Sequence, residues 1–161
     1  MAEDLNRQTN CSTCSIRDLC FPMAMSEEDM TQLDSLVKKR QKVRKKEYLF
    51  RQGDEFKSFY AIRVGFFKSI ITSPQGEEKI LGFNMSGELV GLDGFASNKH
   101  ESSVIALDDS EVCIIDDKKI DELSQTFHPL QNYLQKVLST EIVRNNNLLI
   151  LTSTAKNLIN F

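Results

Sequence analysis

The run "KSFYAIRVGFFKSIITS" constrains the fold of this chain more than any other stretch. It is aromatic and β-branched, and Gly65 divides it into two short apolar runs, the pattern of strands rather than of a helix. Further runs of the same kind follow. "EEKILGFNM" ends at the turn signal Ser86-Gly87, and "SSVIALDDSEVCIID" reads as two strands joined by a hairpin turn at Asp108-Asp109. "SPQGEEK", around Gly76, is a second hairpin turn. Short strands with turn signals every 8–12 residues or so predict a β-sandwich or barrel.

Helices flank the strands. "SEEDMTQLDSLV" has Ser26 as an N-cap with Asp29 three residues on, and a short helix is expected from about Asp117 to Leu123. Pro129 then opens a long helix running to about Thr152. That helix carries two stripes. Leu130, Leu134, Val137 and Leu148 suit packing on the parent domain, or the apolar surface forms one wide face folded back on it. Leu138, Ile142, Asn145, Leu149 and Thr152 step by four, three, four and three, a heptad seam that predicts a parallel two-stranded dimer. Asn145 at the seam centre would meet its own copy, costing stability and fixing register.

At 161 residues the chain suits one domain with a real core. A net charge of −3 gives no global pull toward nucleic acid or a membrane surface. The longest apolar run, "LLILT" from Leu148, is far too short to span a bilayer, and "MAEDLNRQTN" is too polar for a signal peptide. The expected place is therefore the cytoplasm, with no membrane partner. Thiols stay reduced there, so four cysteines point to metal before disulfides. Three of them, Cys11, Cys14 and Cys20, fall in C-x2-C-x5-C, and Cys113 stands alone downstream. Four thiolates suit tetrahedral zinc as well as iron and sulfur, and a lone cysteine in an apolar strand is also an ordinary small core residue.

The run "KKRQKVRKK" holds seven positive charges in nine residues without interleaved aromatics, and reads as a solvated face at the first strand. His100 and His128, the only histidines, show no serine or carboxylate partner at catalytic spacing and no His-x-His pair. No nucleophile motif is present, so no enzyme is expected.

Gly53-Asp54, Phe59-Tyr60, Ile62, Gly65, Gly87-Glu88-Leu89 and the closing long helix together resemble the cyclic-nucleotide-binding jelly roll of the catabolite-activator superfamily. With the four-cysteine spacing, the chain resembles the FNR-type oxygen-responsive regulators of fumarate and nitrate reduction, from Cys11 to about Leu151. The resemblance implies a mainly β jelly roll with helices, followed by a long C-terminal dimerisation helix. It divides the chain into a cysteine-rich loop (1–25), a jelly-roll sensor domain (26–128) and a dimerisation helix (129–153). The remainder (154–161) would begin a connection to a DNA-binding domain.

In such regulators the thiolates matching Cys11, Cys14, Cys20 and Cys113 hold one [4Fe–4S] cluster, zinc being the alternative metal and a ligand-free dimerising module the other reading. Ser12, Thr13 and Ser15 would then offer polar groups close to the sulfurs, while Leu19 and Phe21 limit access. Oxygen destroys such a cluster, and with it the dimer that binds DNA. Relatives often place an acid in the seam where Asn145 stands, so dimerisation here is expected to depend less on the cluster. The loop at Gly76 and Glu77 matches one that touches RNA polymerase. Cyclic-nucleotide relatives carry a phosphate-neutralising arginine near Glu101, where a carboxylate would repel the phosphate and Lys99 is a weak substitute. No cyclic nucleotide is expected. A helix-turn-helix is expected to be absent, since the sequence stops at "STAKNLINF". DNA and polymerase would be reached only through the complete regulator, by a homodimer or by a heterodimer with a full-length relative.

Overall fold

The computed structural model describes residues 26–159. The chain divides into two compact units, residues 1–123 and 124–161. Among the described residues, the first element of the first unit is helix α1 (Glu27–Leu36), closed at its start by a capping box. The Asp29 amide donates to Ser26 Oγ at 3.2 Å and the Ser26 amide donates back to Asp29 Oδ2 at 3.1 Å. Two otherwise orphaned donors are thereby satisfied, as the spacing predicts. Met30, Leu33 and Leu36 are the buried stripe.

Eight strands follow: β1 (Val37–Val43), β2 (Tyr48–Phe50), β3 (Ser58–Val64), β4 (Phe66–Thr72), β5 (Glu78–Met85), β6 (Leu89–Val90), β7 (Ser103–Ala106) and β8 (Ser110–Asp116). They form two four-stranded antiparallel sheets, ordered β1-β8-β3-β6 and β2-β7-β4-β5. Val43, Ile62, Val90 and Val112 of the first sheet meet Leu49, Phe50, Phe67, Val104 and Ala106 of the second in one buried core. This is the sandwich that the strand pattern predicts, and the jelly roll that the resemblance implies.

Gly65 lies where the chain crosses from the first sheet to the second. Its φ of 111° is open to glycine, and an added Cβ would lie 1.9 Å from Ser110 Oγ. The turn at Asp108-Asp109 corrects the hairpin expected there. β7 pairs with β2 and β4, while β8 pairs with β1 and β3, so the turn passes between sheets. Local apolar pattern marks both strands but holds no information about which distant strand each will meet. Around Gly76 the hairpin is real, joining β4 to β5.

Helix α2 (Asp117–Ser124) ends the first unit, close to the expected span. The second unit is dominated by helix α3 (His128–Ile159). It starts one residue before Pro129 and overruns the expected end near Thr152, so residues 154–159, read as a connection, are helical. The sequence "TSTAK" past Leu151 contains no glycine or proline to stop it. The stripe expected to pack is also shorter than read. Leu130 is fully buried and Leu134 and Val137 half-buried, but Leu148 is 40% exposed.

Candidate functional site

Cys113 sits near the middle of β8, between two neighbouring strands. Successive strand residues face opposite ways, and Val112, fully buried, points into the core between the sheets. Cys113 therefore faces the other side of the first sheet, and it is half-buried there. Its register partners are Arg40 on β1 and Ala61 on β3, and residues directly opposite share a face. The thiol is not part of the sandwich core. Cys11, Cys14 and Cys20, with Ser15, Leu19 and Phe21, lie outside the described residues, which hold no cluster of three or more metal-ligating side chains.

Next to Cys113, Glu111 draws two cations to one carboxylate oxygen. Arg63 Nη1 donates to Oε1 at 3.4 Å and Arg40 Nε lies 3.8 Å from the same atom. Arg40 thus departs from the solvated face read for the basic run, whereas Lys39, Lys42, Arg44, Lys45 and Lys46 keep to it as exposed residues. Lys39 and Lys42 place charges on β1, an edge strand, which disfavours its pairing with another chain.

The seam residues lie along α3. Leu138 is 42% exposed, Ile142 60% and Leu149 66%, with Asn145 and Thr152 also exposed. Thr152 spends its hydroxyl on the Leu148 carbonyl of its own helix. Gly76 takes φ 86° at the tip of the β4–β5 hairpin, where its amide donates to the Ser73 carbonyl at 2.9 Å. Glu77 is exposed beside it.

His100 does have a carboxylate partner, which sequence spacing did not reveal. Its Nδ1 lies 3.1 Å from Asp93 Oδ1, and its ring stacks on Phe50 with centroids 3.8 Å apart. The 3₁₀ turn Leu92–Gly94 and the loop after it fold back to bring the two together. Asp93 also accepts from the Ser102 hydroxyl at 2.8 Å. Because that serine donates to the aspartate and not to the imidazole, the group has no nucleophile–base contact and is no catalytic triad.

Beside it lies a cavity of about 560 Å³ whose lining includes Arg51, Glu78, Lys99, His100 and Glu101. Arg51 and Lys99 share that lining with the carboxylates of Glu78 and Glu101, which offset their charge. Arg51 is stacked over the Tyr48 ring at 3.7 Å, which occupies its flat face.

Residues 40–127 match the family model of the cyclic nucleotide-binding domain. The transcriptional activator protein Anr of Pseudomonas protegens is 40% identical over 148 residues, covering 92% of this chain and 61% of that protein. The fumarate and nitrate reduction regulatory protein of Escherichia coli is 38% identical over 144 residues, covering 89% of this chain and 58% of its own length. The chain thus spans about three fifths of the length of these relatives. In fold it is similar to the catabolite activator protein of Thermus thermophilus, with a TM-score of 0.69 at 22% identity over 84% of this chain and 62% of that one. The chain belongs to the cyclic nucleotide-binding domain family, among relatives that are Anr and fumarate-and-nitrate-reduction regulators.

Proposed function

We propose that this chain is the sensor and dimerisation module of an FNR-type transcription regulator, with one [4Fe–4S] cluster held by Cys11, Cys14, Cys20 and Cys113. The observation that carries this reading is the place of Cys113, half-buried on the face of β8 opposite to that of Val112, with Arg40 across the ladder from it. Four soft thiolates with no spare cysteine fit a cubane, which takes one per iron. When bound, the cluster supplies reactivity toward oxygen. Cys113 would hold the group from a strand paired on both sides, and Cys11, Cys14 and Cys20 would hold it from a single short stretch of sequence.

The seam on α3 supports the second half of the reading. Leu138, Ile142 and Leu149 present an apolar stripe that a second copy would cover, with Asn145 facing Asn145. Each 1.4 kcal/mol or so of bias changes such an association tenfold, so a modest change in the sensor unit is enough to move it. The balanced charges of the cavity beside His100 favour a module that takes no cyclic nucleotide. Gly76 and Glu77 offer the polymerase contact, and DNA binding belongs to the complete regulator, acting in the cytoplasm.

The deciding experiment is iron, acid-labile sulfide and zinc per chain, in protein purified without oxygen and again after air. Near-equal iron and sulfide, about four of each, lost in air, is the expected result. Zinc without sulfide, unchanged by air, would make this a structural metal site, and neither metal would leave a ligand-free dimerising domain.

A further inference from the structure

We infer that Arg40 and Arg63 are positioning residues for the cluster, offering donors and positive charge to its sulfur atoms from the face of the sheet that carries Cys113. The inference rests on the cluster reading above.

Arg40 stands opposite Cys113 in the β1–β8 register, and Arg63 reaches the same face through Glu111. Glu111 only partly satisfies the pair. Its contact with Arg63 is long at 3.4 Å, and that with Arg40, at 3.8 Å, is beyond hydrogen-bond range. The Nε atoms of both arginines are shut off from solvent and have no hydrogen-bond partner. A buried donor left unmade is destabilising, and two of them on one face call for an acceptor. Among the described residues, one carboxylate faces two guanidiniums there. A four-thiolate cluster is an anion rich in sulfur acceptors, and hydrogen bonds and charge near those sulfurs set its potential. Donors with no acceptor, two guanidiniums and a cysteine across the strand ladder are complementary to that group.

The roles of the three side chains have opposite signs. Arg40→Met or Arg63→Met removes charge and donor, destabilising the reduced cluster and lowering its potential. Glu111→Gln frees both guanidiniums and raises it. Arg40→Lys keeps the charge and loses the Nε donor, so it falls between wild type and Arg40→Met.

The test is a redox titration of the anaerobically loaded full chain for wild type and these variants, with the rate of iron loss in air and thermal melts of the metal-free proteins. The expected result is a lowered potential and iron loss about 10-fold faster in the methionine variants, a raised potential in Glu111→Gln, and metal-free Arg40→Met melting no lower than wild type. Potentials and lifetimes that match wild type in all variants would overturn the inference alone, leaving a structural ion pair. A wild-type chain that takes up no sulfide would instead remove the cluster reading, and this inference with it.

Discussion

The Asp93 carboxylate and the buried imidazole of His100 are joined at 3.1 Å, with the Ser102 hydroxyl and the Glu101 amide donating to the same carboxylate. Burial pushes the Asp93 carboxyl up. The hydrogen bonds from His100 and Ser102, the charge of His100 and the Glu101 amide outweigh it and hold the group below the usual carboxylate range. A carboxyl whose folded value lies below its unfolded value of about 3.9 adds stability above that pH, and the gain is lost as pH falls through the folded value. In urea melts of the metal-free chain, Asp93→Asn should cost about 1–3 kcal/mol near pH 7. The gap to wild type should close below about pH 4. A gap that stays constant into acid would show that Asp93 contributes no charge-dependent stability.

Two glycines with similar backbone angles should respond differently to alanine. At Gly65 the new methyl would collide with Ser110, including its backbone, and the cost should be about 3 kcal/mol or more. At Gly76 nothing lies within 4 Å, so only the left-handed conformation is penalised, at about 1–2 kcal/mol. Denaturant midpoints of the two variants, measured side by side, check the order.

Adjacent residues on β8 should separate stability from metal binding. Val112→Ala opens a cavity in the core and should cost about 2 kcal/mol in the metal-free chain. Cys113→Ser should cost no more than about 1 kcal/mol there while abolishing iron and sulfide uptake. Retained colour and iron in Cys113→Ser would exclude it as a ligand.

Asn145 sets the strength of the seam. Asn145→Asp brings two like charges together and should weaken the dimer about 10-fold, roughly 1.4 kcal/mol. Asn145→Leu should tighten it and loosen its register. Sedimentation equilibrium before and after cluster loss should find the wild-type dimer weakened, but less so than the Asn145→Asp dimer. A dimer fraction that collapses on cluster loss would show instead that the seam depends on the sensor unit.

Strand positions were legible because alternation and glycine breaks are local. The partners of β7 and β8 were not, since antiparallel pairing between distant segments leaves no mark on either one. Asp93 and His100 were hidden for the same reason, seven residues apart in sequence and joined only by the fold of a loop. Arg40 was visible as a charge but not as a neighbour of Cys113, because the register that pairs them spans most of the domain. The face of Cys113 could be inferred only after Val112 was known to be core. The extra length of α3 follows from a missing stop signal, a weaker cue than a stop that is present.

The position of β8 also imposes an order of events on synthesis. β1 has β8 as its one neighbour in the sheet, and β3 has otherwise only the two-residue β6. On the ribosome, β1 and β3 must therefore wait until residues 110–116 emerge before that sheet can exist. The nascent chain exposes the amino-terminal thiols of Cys11, Cys14 and Cys20 long before Cys113 has a scaffold to hold it. On the proposed reading, a metal shared by all four thiolates could therefore be enclosed only after Cys113 has left the ribosome.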